Sequence, residues 1–167
     1  MHQFTEISPS HIEDNPFDMI GKEWMLLTAG RGTDCNTMTA SWGGMGVLWR
    51  NPVTTVYVRP TRHTYGFMER EEYYSLCFFG DTQREALQLC GSQSGRDIDK
   101  IAAAGLTLRS DALAPYFDEA RLVIICRKRY AQDISPACFC DPTIEEHYHN
   151  DYHRMYIGEI VTVLQRA

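Results

Sequence analysis

Short runs of apolar, β-branched and aromatic residues, each ended by glycine, proline or polar turn residues, recur along this chain. Such runs are typical of β-strands. They predict strands over residues 24–28, 37–42, 53–59, 73–79, 122–126 with a more polar continuation to 132, and 152–164. The 73–79 run is apolar in both alternating positions, which favours a central strand covered on both faces. Gly158 interrupts the last run and predicts a bulge or bend.

Helical segments in this chain are short and fall between the strands. The pattern predicts helices over residues 15–21, 62–69 with Thr61 as the cap, onward from a cap at Asp81 or Thr82 to Leu89, and 97–104. Prolines, capping side chains and following glycines mark their ends. Because strands dominate and βαβ alternation is sparse, we predict a mainly β protein with short helices, as a barrel or sandwich.

Length, charge and hydropathy restrict the classes of function. A chain of 167 residues suits one domain with a single core, so we predict one domain over residues 1–167. The net charge of −6 gives no reason to expect nucleic acid or an anionic membrane as a partner. No apolar run approaches the roughly 18 residues that cross a bilayer, and the first residues lack a signal-peptide pattern. We therefore expect a cytoplasmic protein.

Cysteine and histidine residues raise the question of a metal site. Cys138 and Cys140 form a C-x-C pair, which supplies only half of a tetrahedral site. On a strand, four potential ligands near the C-terminus would share one face: His147, His149, Asp151 and His153. However, Asn150-Asp151 resembles a turn, which favours a polar loop with one functional histidine. A His/Cys metal protein therefore remains an alternative, and our prediction contains no metal.

The segment 36–44 places small hydroxyl and amide side chains ahead of a tryptophan and two glycines. Backbone and small polar groups of such a strand can lie along a flat aromatic ligand and bind its polar edge. The candidate residues are Asn36, Met38, Thr39, Ala40, Ser41 and Trp42. The alternative for Trp42 is the commoner one, a core aromatic.

Two later segments are candidates for binding phosphate, although the chain has no G-x-G-x-x-G or Walker loop. In the segment 59–64, Arg59 and Arg62 can supply planar donors, and Thr61 and Thr64 can add hydroxyls at a helix start. The glycine- and serine-rich segment 91–100 permits close approach of backbone to ligand. It contributes Ser94 and Lys100. The alternatives are a solvated basic turn and a helix cap with Lys100 in solvent.

His153 is the best single candidate for a catalytic side chain. It opens an otherwise apolar strand, and an imidazole there can donate a hydrogen bond to a flavin or a nicotinamide. The chain shows no G-x-S-x-G sequence and no transferable Cys-His pattern of a covalent nucleophile.

The segments 36–44, 58–64, 94–100 and 151–160 resemble, in order and spacing, the flavin reductase-like family, and its flavoredoxin-like branch most closely. The resemblance covers residues 14–164. It implies an FMN-binding split β-barrel, usually a homodimer with the flavin near the subunit interface. It places Asn36 and Trp42 beside the isoalloxazine ring, Thr64 and Arg62 near the phosphate, Lys100 against the flavin, and His153 near the flavin or the reductant.

These observations predict an FMN-dependent oxidoreductase, either a flavin reductase or a flavoredoxin-like electron-transfer protein. It would take electrons from NAD(P)H or a protein donor and pass them to free flavin, an acceptor protein or a small molecule. One departure supports an alternative. Two-component flavin reductases carry a serine and paired prolines where residues 47–52 have a single proline. The alternative is a non-enzymatic flavin- or ligand-binding protein, or a sensor, on the same barrel.

Overall fold

A computed structural model describes all 167 residues and shows one antiparallel sheet of eight strands with a small two-stranded sheet beside it. The strands are β1 (Phe4–Ile7), β2 (Met25–Arg31), β3 (Asp34–Ala40), β4 (Gly43–Leu48), β5 (Asn51–Val58), β6 (Tyr73–Phe78), β7 (Leu108–Arg109), β8 (Tyr116–Phe117), β9 (Leu122–Asp133) and β10 (Arg154–Arg166). The prediction of a mainly β protein is confirmed.

Neighbouring strands of the large sheet follow the order β3-β2-β6-β9-β10-β5-β4, and β1 adds to β10. β10 pairs with β9 along one edge. Along its other edge, its first half pairs with β5 and its last residues pair with β1. Its pairing with β9 shifts register between Ile157 and Gly158, which confirms the predicted bulge. A Cβ on Gly158 would lie 2.3 Å from the hydroxyl of Tyr74, so only glycine fits there.

Short helices fill the connections of the sheet. They are α1 (Pro16–Asp18), which continues as a wider π-helical turn over Met19–Glu23, α2 (His63–Arg70), α3 (Arg84–Ser92) and α4 (Lys100–Ala103); single 3₁₀ segments cover Pro9–His11, Gly80–Gln83, Pro136–Cys138 and Pro142–His147. The longest, α3, has nine residues. No helix has the length and apolar character needed to cross a membrane.

Apolar side chains cover both faces of the central strands. On β6, Tyr74, Leu76 and Phe78 belong to one buried cluster, whereas Cys77 belongs to a second. The first cluster receives side chains from six strands, so the sheet curls around it. The second lies between the outer face of the sheet, α3 and the segment that carries β8. The prediction that residues 73–79 form a central strand covered on both sides is confirmed.

Several predicted boundaries were wrong. The sequence pattern missed β4, whose glycines allow close pairing with β5. A Cβ on Gly43 would lie 2.8 Å from the carbonyl oxygen of Thr55. Neither Thr61 nor Asp81 or Thr82 caps a helix, since α2 and α3 have no side-chain cap. The helix predicted from residue 97 begins only at Lys100, after Asp99 caps it.

Candidate functional site

A cavity of about 330 Å³ opens where the end of β3 approaches β5 and the start of β10. We call it the ring cavity. Its lining residues are Met38, Thr39, Ala40, Ser41, Trp42, Tyr57, Arg59, Arg62, Gly91 and His153. Five of these form one continuous stretch, residues 38–42, as the sequence predicted. The others come from β5, the segment between β5 and α2, α3, and the residue before β10.

The end of β3 turns outward to form one wall of this cavity. Met38 and Ala40 are buried in the core, while the hydroxyl of Thr39 donates a hydrogen bond to the carbonyl of Leu87 in α3. Trp42 retains 45% of its exposure, so it is not a core aromatic. Its indole lies 5.1 Å from the imidazole of His153, measured between ring centroids. This wall therefore presents an exposed aromatic side chain on the two-residue connection between β3 and β4.

Alternation along β5 supplies the opposite wall. Val56 and Val58 point into the core with no exposed surface, which turns Tyr57 and Arg59 towards the cavity. Tyr57 is a site residue that the sequence analysis missed. The alternation of buried and accessible positions along the strand could have identified Tyr57 from the sequence.

Arg59 holds the loop that precedes β10 against the cavity. Its guanidinium donates hydrogen bonds to the carbonyl oxygens of His147, at 2.8 Å, and Asp151, at 3.2 Å. The carboxylate of Asp151 lies 3.8 Å from the same group. The structure thus places Arg59 at the ring cavity and outside the lining of the second, more polar cavity described below. Two of its donors are already occupied by the loop.

His153 is buried at the inner end of the ring cavity, with 8% exposure. Its Nδ1 lies 3.2 Å from the hydroxyl of Tyr148. Burial, and then the positive charge of Arg59, lower the pKa of His153 to about 4, against a smaller opposing effect of Asp151. The imidazole is therefore neutral at physiological pH.

A second cavity, of about 240 Å³, adjoins the first and has no apolar residue in its lining. We call it the polar cavity. Its lining residues are Thr61, Arg62, His63, Thr64, Ser92, Gln93, Ser94, Arg96 and Lys100. Three are permanently or ordinarily cationic, one is a histidine, and none is a carboxylate. This donor set is the chemistry that binds phosphate.

The positive charges of the polar cavity act on one another without a carboxylate between them. Burial lowers the pKa of Lys100 to about 8, against an opposing effect of Cys90, and the charge of Arg62 adds a smaller lowering. Burial and the neighbouring Arg59 lower the pKa of Arg62. The pKa of His63 is lowered by burial, Arg96 and Lys100. An anion in this cavity would relieve that repulsion, which favours its binding.

The first turn of α2 opens into the polar cavity. Arg62 is the residue before the helix, and no side chain caps the free N–H groups there. These N–H groups and the positive end of the helix dipole favour an anion. Thr61 donates its hydroxyl hydrogen bond to Asp151 at 2.7 Å instead of capping the helix.

Arg62 lies at the junction and lines both cavities. Its guanidinium donates a hydrogen bond of 2.9 Å to the carbonyl of Gly91, at the edge of the glycine- and serine-rich loop. The two cavities are therefore two ends of one elongated site.

Asn36 lines neither cavity and is buried beneath the polar one. Its amide donates a 2.7 Å hydrogen bond to the hydroxyl of Thr64. Above it passes Gly95, where an added Cβ would lie 2.0 Å from the Asn36 oxygen. The structure thus places Asn36 under the phosphate-binding candidates, away from the ring cavity to which the resemblance assigned it.

The 91–100 loop contributes more residues than we predicted. Ser94 and Lys100 line the polar cavity as expected, and the amine of Lys100 donates to the Cys90 carbonyl at 2.9 Å rather than extending into solvent. The sequence analysis missed His63, Gly91, Ser92, Gln93 and Arg96, although all lie in the two segments that it singled out.

The potential metal ligands do not converge. No group of three His, Cys, Asp or Glu side chains is arranged to hold a metal ion. His147 ends a 3₁₀ segment and His149 follows it on a loop, so the two exposed histidines are not aligned on a strand. Cys138 and Cys140 are exposed free thiols. The geometry thus offers no support for the metal-protein alternative.

The chain belongs to the flavin reductase-like family, because the model of the flavin reductase like domain matches residues 18–167. The sheet is accordingly the split β-barrel of that family, which confirms the predicted fold. Comparison with curated proteins gives no match.

Solved structures share this fold at low sequence identity. An FMN-binding domain of a flavin reductase-like enzyme from Shewanella baltica has a TM-score of 0.70 and 16% identity, over 99% of this chain and 78% of its own. The flavoredoxin of Desulfovibrio vulgaris has a TM-score of 0.66 and 21% identity, over 94% and 75%. An NADH:FAD oxidoreductase of Streptomyces globisporus has a TM-score of 0.63 and 15% identity, over 86% and 75%.

Proposed function

We propose that this protein is an FMN-binding flavoprotein oxidoreductase. One observation carries the proposal: an aromatic-walled cavity and a cationic cavity without carboxylates adjoin each other, and Arg62 lines both. A planar ring joined to a terminal phosphate monoester requires this pairing of chemistries. The family match and the FMN-binding neighbours support the same assignment.

Different residues would bind the ring and the phosphate at the two ends of the site. The backbone of residues 38–42 and the side chains of Trp42 and Tyr57 would hold the isoalloxazine ring. Arg62, Thr64, Ser94 and Lys100 would bind the phosphate through charged and neutral hydrogen bonds. Asn36 would fix the hydroxyl of Thr64 from below.

Bound FMN would supply two-electron redox chemistry at its ring. The chain's own contribution at the ring cavity is electrostatic. The guanidinium of Arg59 is fixed there by the 147–151 loop, and His153 is a neutral hydrogen-bonding group there. A fixed positive charge and an oriented donor stabilise negative charge that develops on a bound ring.

We further propose that electrons come from NAD(P)H or a protein donor and pass to a small molecule, free flavin or an acceptor protein. The NADH:FAD oxidoreductase and the flavoredoxins among the structural neighbours support each route equally. The alternative is a flavin-binding or sensor protein without catalysis. It rests on the β4–β5 turn, where Trp49 and Arg50 occupy left-handed backbone conformations in place of a proline pair.

We also propose a cytoplasmic homodimer. The edge strand β4 and its turn expose Val47 and Trp49, with 79% and 51% of their surface accessible, and Phe17 exposes 85%. Apolar side chains this exposed are stabilised when a second copy covers them. Light scattering during gel filtration tests the dimer, and a monomer at micromolar concentration would contradict it.

The proposed function is tested by absorbance spectroscopy of the purified chain, before and after addition of FMN. We expect a flavin spectrum and saturable FMN binding that is tighter than binding of riboflavin, which lacks the phosphate. Failure to take up FMN would overturn the proposal. Anaerobic mixing with NADH and NADPH then separates the alternatives, since loss of the oxidised flavin absorbance indicates a reductase. No loss with either nucleotide favours a protein-fed carrier or a binder.

A further inference from the structure

Tyr148 is the only buried residue between positions 132 and 152, on a loop that is otherwise exposed or half-buried. Its side chain is 6% exposed. The ring stacks on Phe139 at 6.0 Å and lies 5.1 Å from Tyr152, while the guanidinium of Arg59 lies 5.3 Å from its centre. These contacts fix both the ring and the direction of its hydroxyl.

That hydroxyl has one hydrogen-bond partner in the protein, Nδ1 of His153, at 3.2 Å. The imidazole has no other side-chain hydrogen bond within the protein. Burial raises the pKa of Tyr148, so its hydroxyl keeps its proton. If Nδ1 carried the imidazole proton, the hydroxyl proton of this buried side chain would have no acceptor in the protein, which is unfavourable. The arrangement that satisfies both groups has the phenol donating and Nδ1 accepting.

We infer that Tyr148 is a positioning residue that fixes the tautomer of His153, so that Nε2 carries the proton and acts as a neutral donor in the ring cavity. The ligand class that follows is one with an acceptor atom at that point, such as a carbonyl oxygen or an unprotonated ring nitrogen. The inference rests on the proposed function only for the identity of that ligand.

The test is long-range ¹H–¹⁵N NMR of the histidine side chains in the full chain, recorded near pH 7 with and without FMN. A protonated ring nitrogen and one with a free lone pair differ clearly in ¹⁵N shift. The His153→Asn variant assigns the His153 signals by their disappearance. We expect a single tautomer with Nε2 protonated, and a hydrogen-bonded Nδ1.

Two matched variants distinguish the hydrogen bond from the packing. Tyr148→Phe keeps the ring and removes the hydroxyl, so the Nδ1 signal should move and the tautomer should no longer be unique. Tyr152→Phe removes a hydroxyl from the same aromatic cluster, but that hydroxyl donates to Glu145, so the His153 signals should stay unchanged.

A protonated Nδ1 in the unmodified chain overturns the inference. Equal His153 spectra in the Tyr148→Phe and Tyr152→Phe proteins also overturn it. Because these spectra are interpretable without flavin, failure to bind FMN would reject the proposed function and leave the tautomer measurement standing.

Discussion

The two ends of the site are built differently, although they touch at Arg62. The ring cavity is formed by strand ends and aromatic side chains, and one of its two arginines, Arg59, is already hydrogen-bonded to a loop. The polar cavity is formed by a helix start and a loop, and its cations have no carboxylate partner. The first end is preorganised for shape, whereas the second keeps unneutralised charge for a ligand to satisfy.

Removal of the shared residue gives the largest expected effect. Arg62→Gln removes a charged donor from the polar cavity and a wall from the ring cavity. We expect the FMN dissociation constant, measured by fluorescence titration, to rise by roughly 100-fold, or about 2.7 kcal/mol. Riboflavin binding should weaken much less.

Arg127→Gln is the control for Arg62→Gln, since it changes net charge equally at a surface pair with Glu72. Equal losses in the two variants would mean that only overall charge matters, and that Arg62 is not the junction of the site.

Displacement of the loop from Asn36 should have the next largest effect. In Gly95→Ala the new Cβ would lie 2.0 Å from the buried Asn36 oxygen, so the loop must move. We expect a loss of about 1–3 kcal/mol in unfolding free energy, measured by urea denaturation, with weaker FMN binding.

Gly66→Ala, in α2, is the matched control, because nothing lies within 4 Å of its Cβ. It should stabilise the protein by about 0.5–1 kcal/mol. The interpretation of Gly95 fails if both variants are equally stable.

Lys100→Met tests the unneutralised charge of the polar cavity. We expect FMN affinity to fall by roughly tenfold, or about 1.4 kcal/mol, while riboflavin affinity is preserved. The flavin-free protein should become more stable at pH 7, because a buried cation is removed.

The pH dependence of stability follows from the lowered pKa of Lys100, from 10.5 to about 8. Between these values the unfolded chain binds more protons than the folded one, so stability should rise with pH across that window. Urea denaturation at pH 7 and pH 10 measures this rise. The Lys100→Met protein should lack this contribution, and an unchanged rise in the variant would contradict the assignment.

The smallest effect is expected at the ring end. Because the pKa of His153 is lowered to about 4, this side chain does not titrate between pH 6 and pH 8. Riboflavin affinity should therefore change by less than about twofold over that range. An affinity that changes several-fold with a midpoint near 6.5, and loses that change in His153→Asn, would show that the histidine is not buried as described.

Local sequence patterns predicted those parts of the fold in which the polarity or size of each residue fits the burial and space at its position. The doubly apolar run at 73–79 corresponds to β6 between two clusters, and Gly158 coincides with the bulge. The sequence pattern did not predict β4, because close contact with β5 requires glycine there, and glycine lacks the side chain from which a strand is recognised. The prediction that Thr61 caps α2 was wrong because its hydroxyl is hydrogen-bonded to Asp151, 90 positions away along the chain.

The candidate site shows the same division. Residues 38–42 and the segments around 62 and 94–100 were selected as candidates from residue type and spacing, since residues close together in the sequence stay close together in space. The positions of Asn36, Arg59 and Tyr148 depend on tertiary contacts, with Thr64, with Asp151 and with His153. Only the last of these lies within a few positions along the chain.

By itself, the sequence determined which short segments have residue types suited to binding a ring or a phosphate, because side-chain type and strand or helix periodicity are local properties. The tertiary structure decided which of these side chains face a cavity, which are held by other residues, and that the two cavities meet at Arg62. Those outcomes depend on burial and on hydrogen bonds between distant positions. Such interactions exist only once the sheet has brought β3, β5 and β10 together.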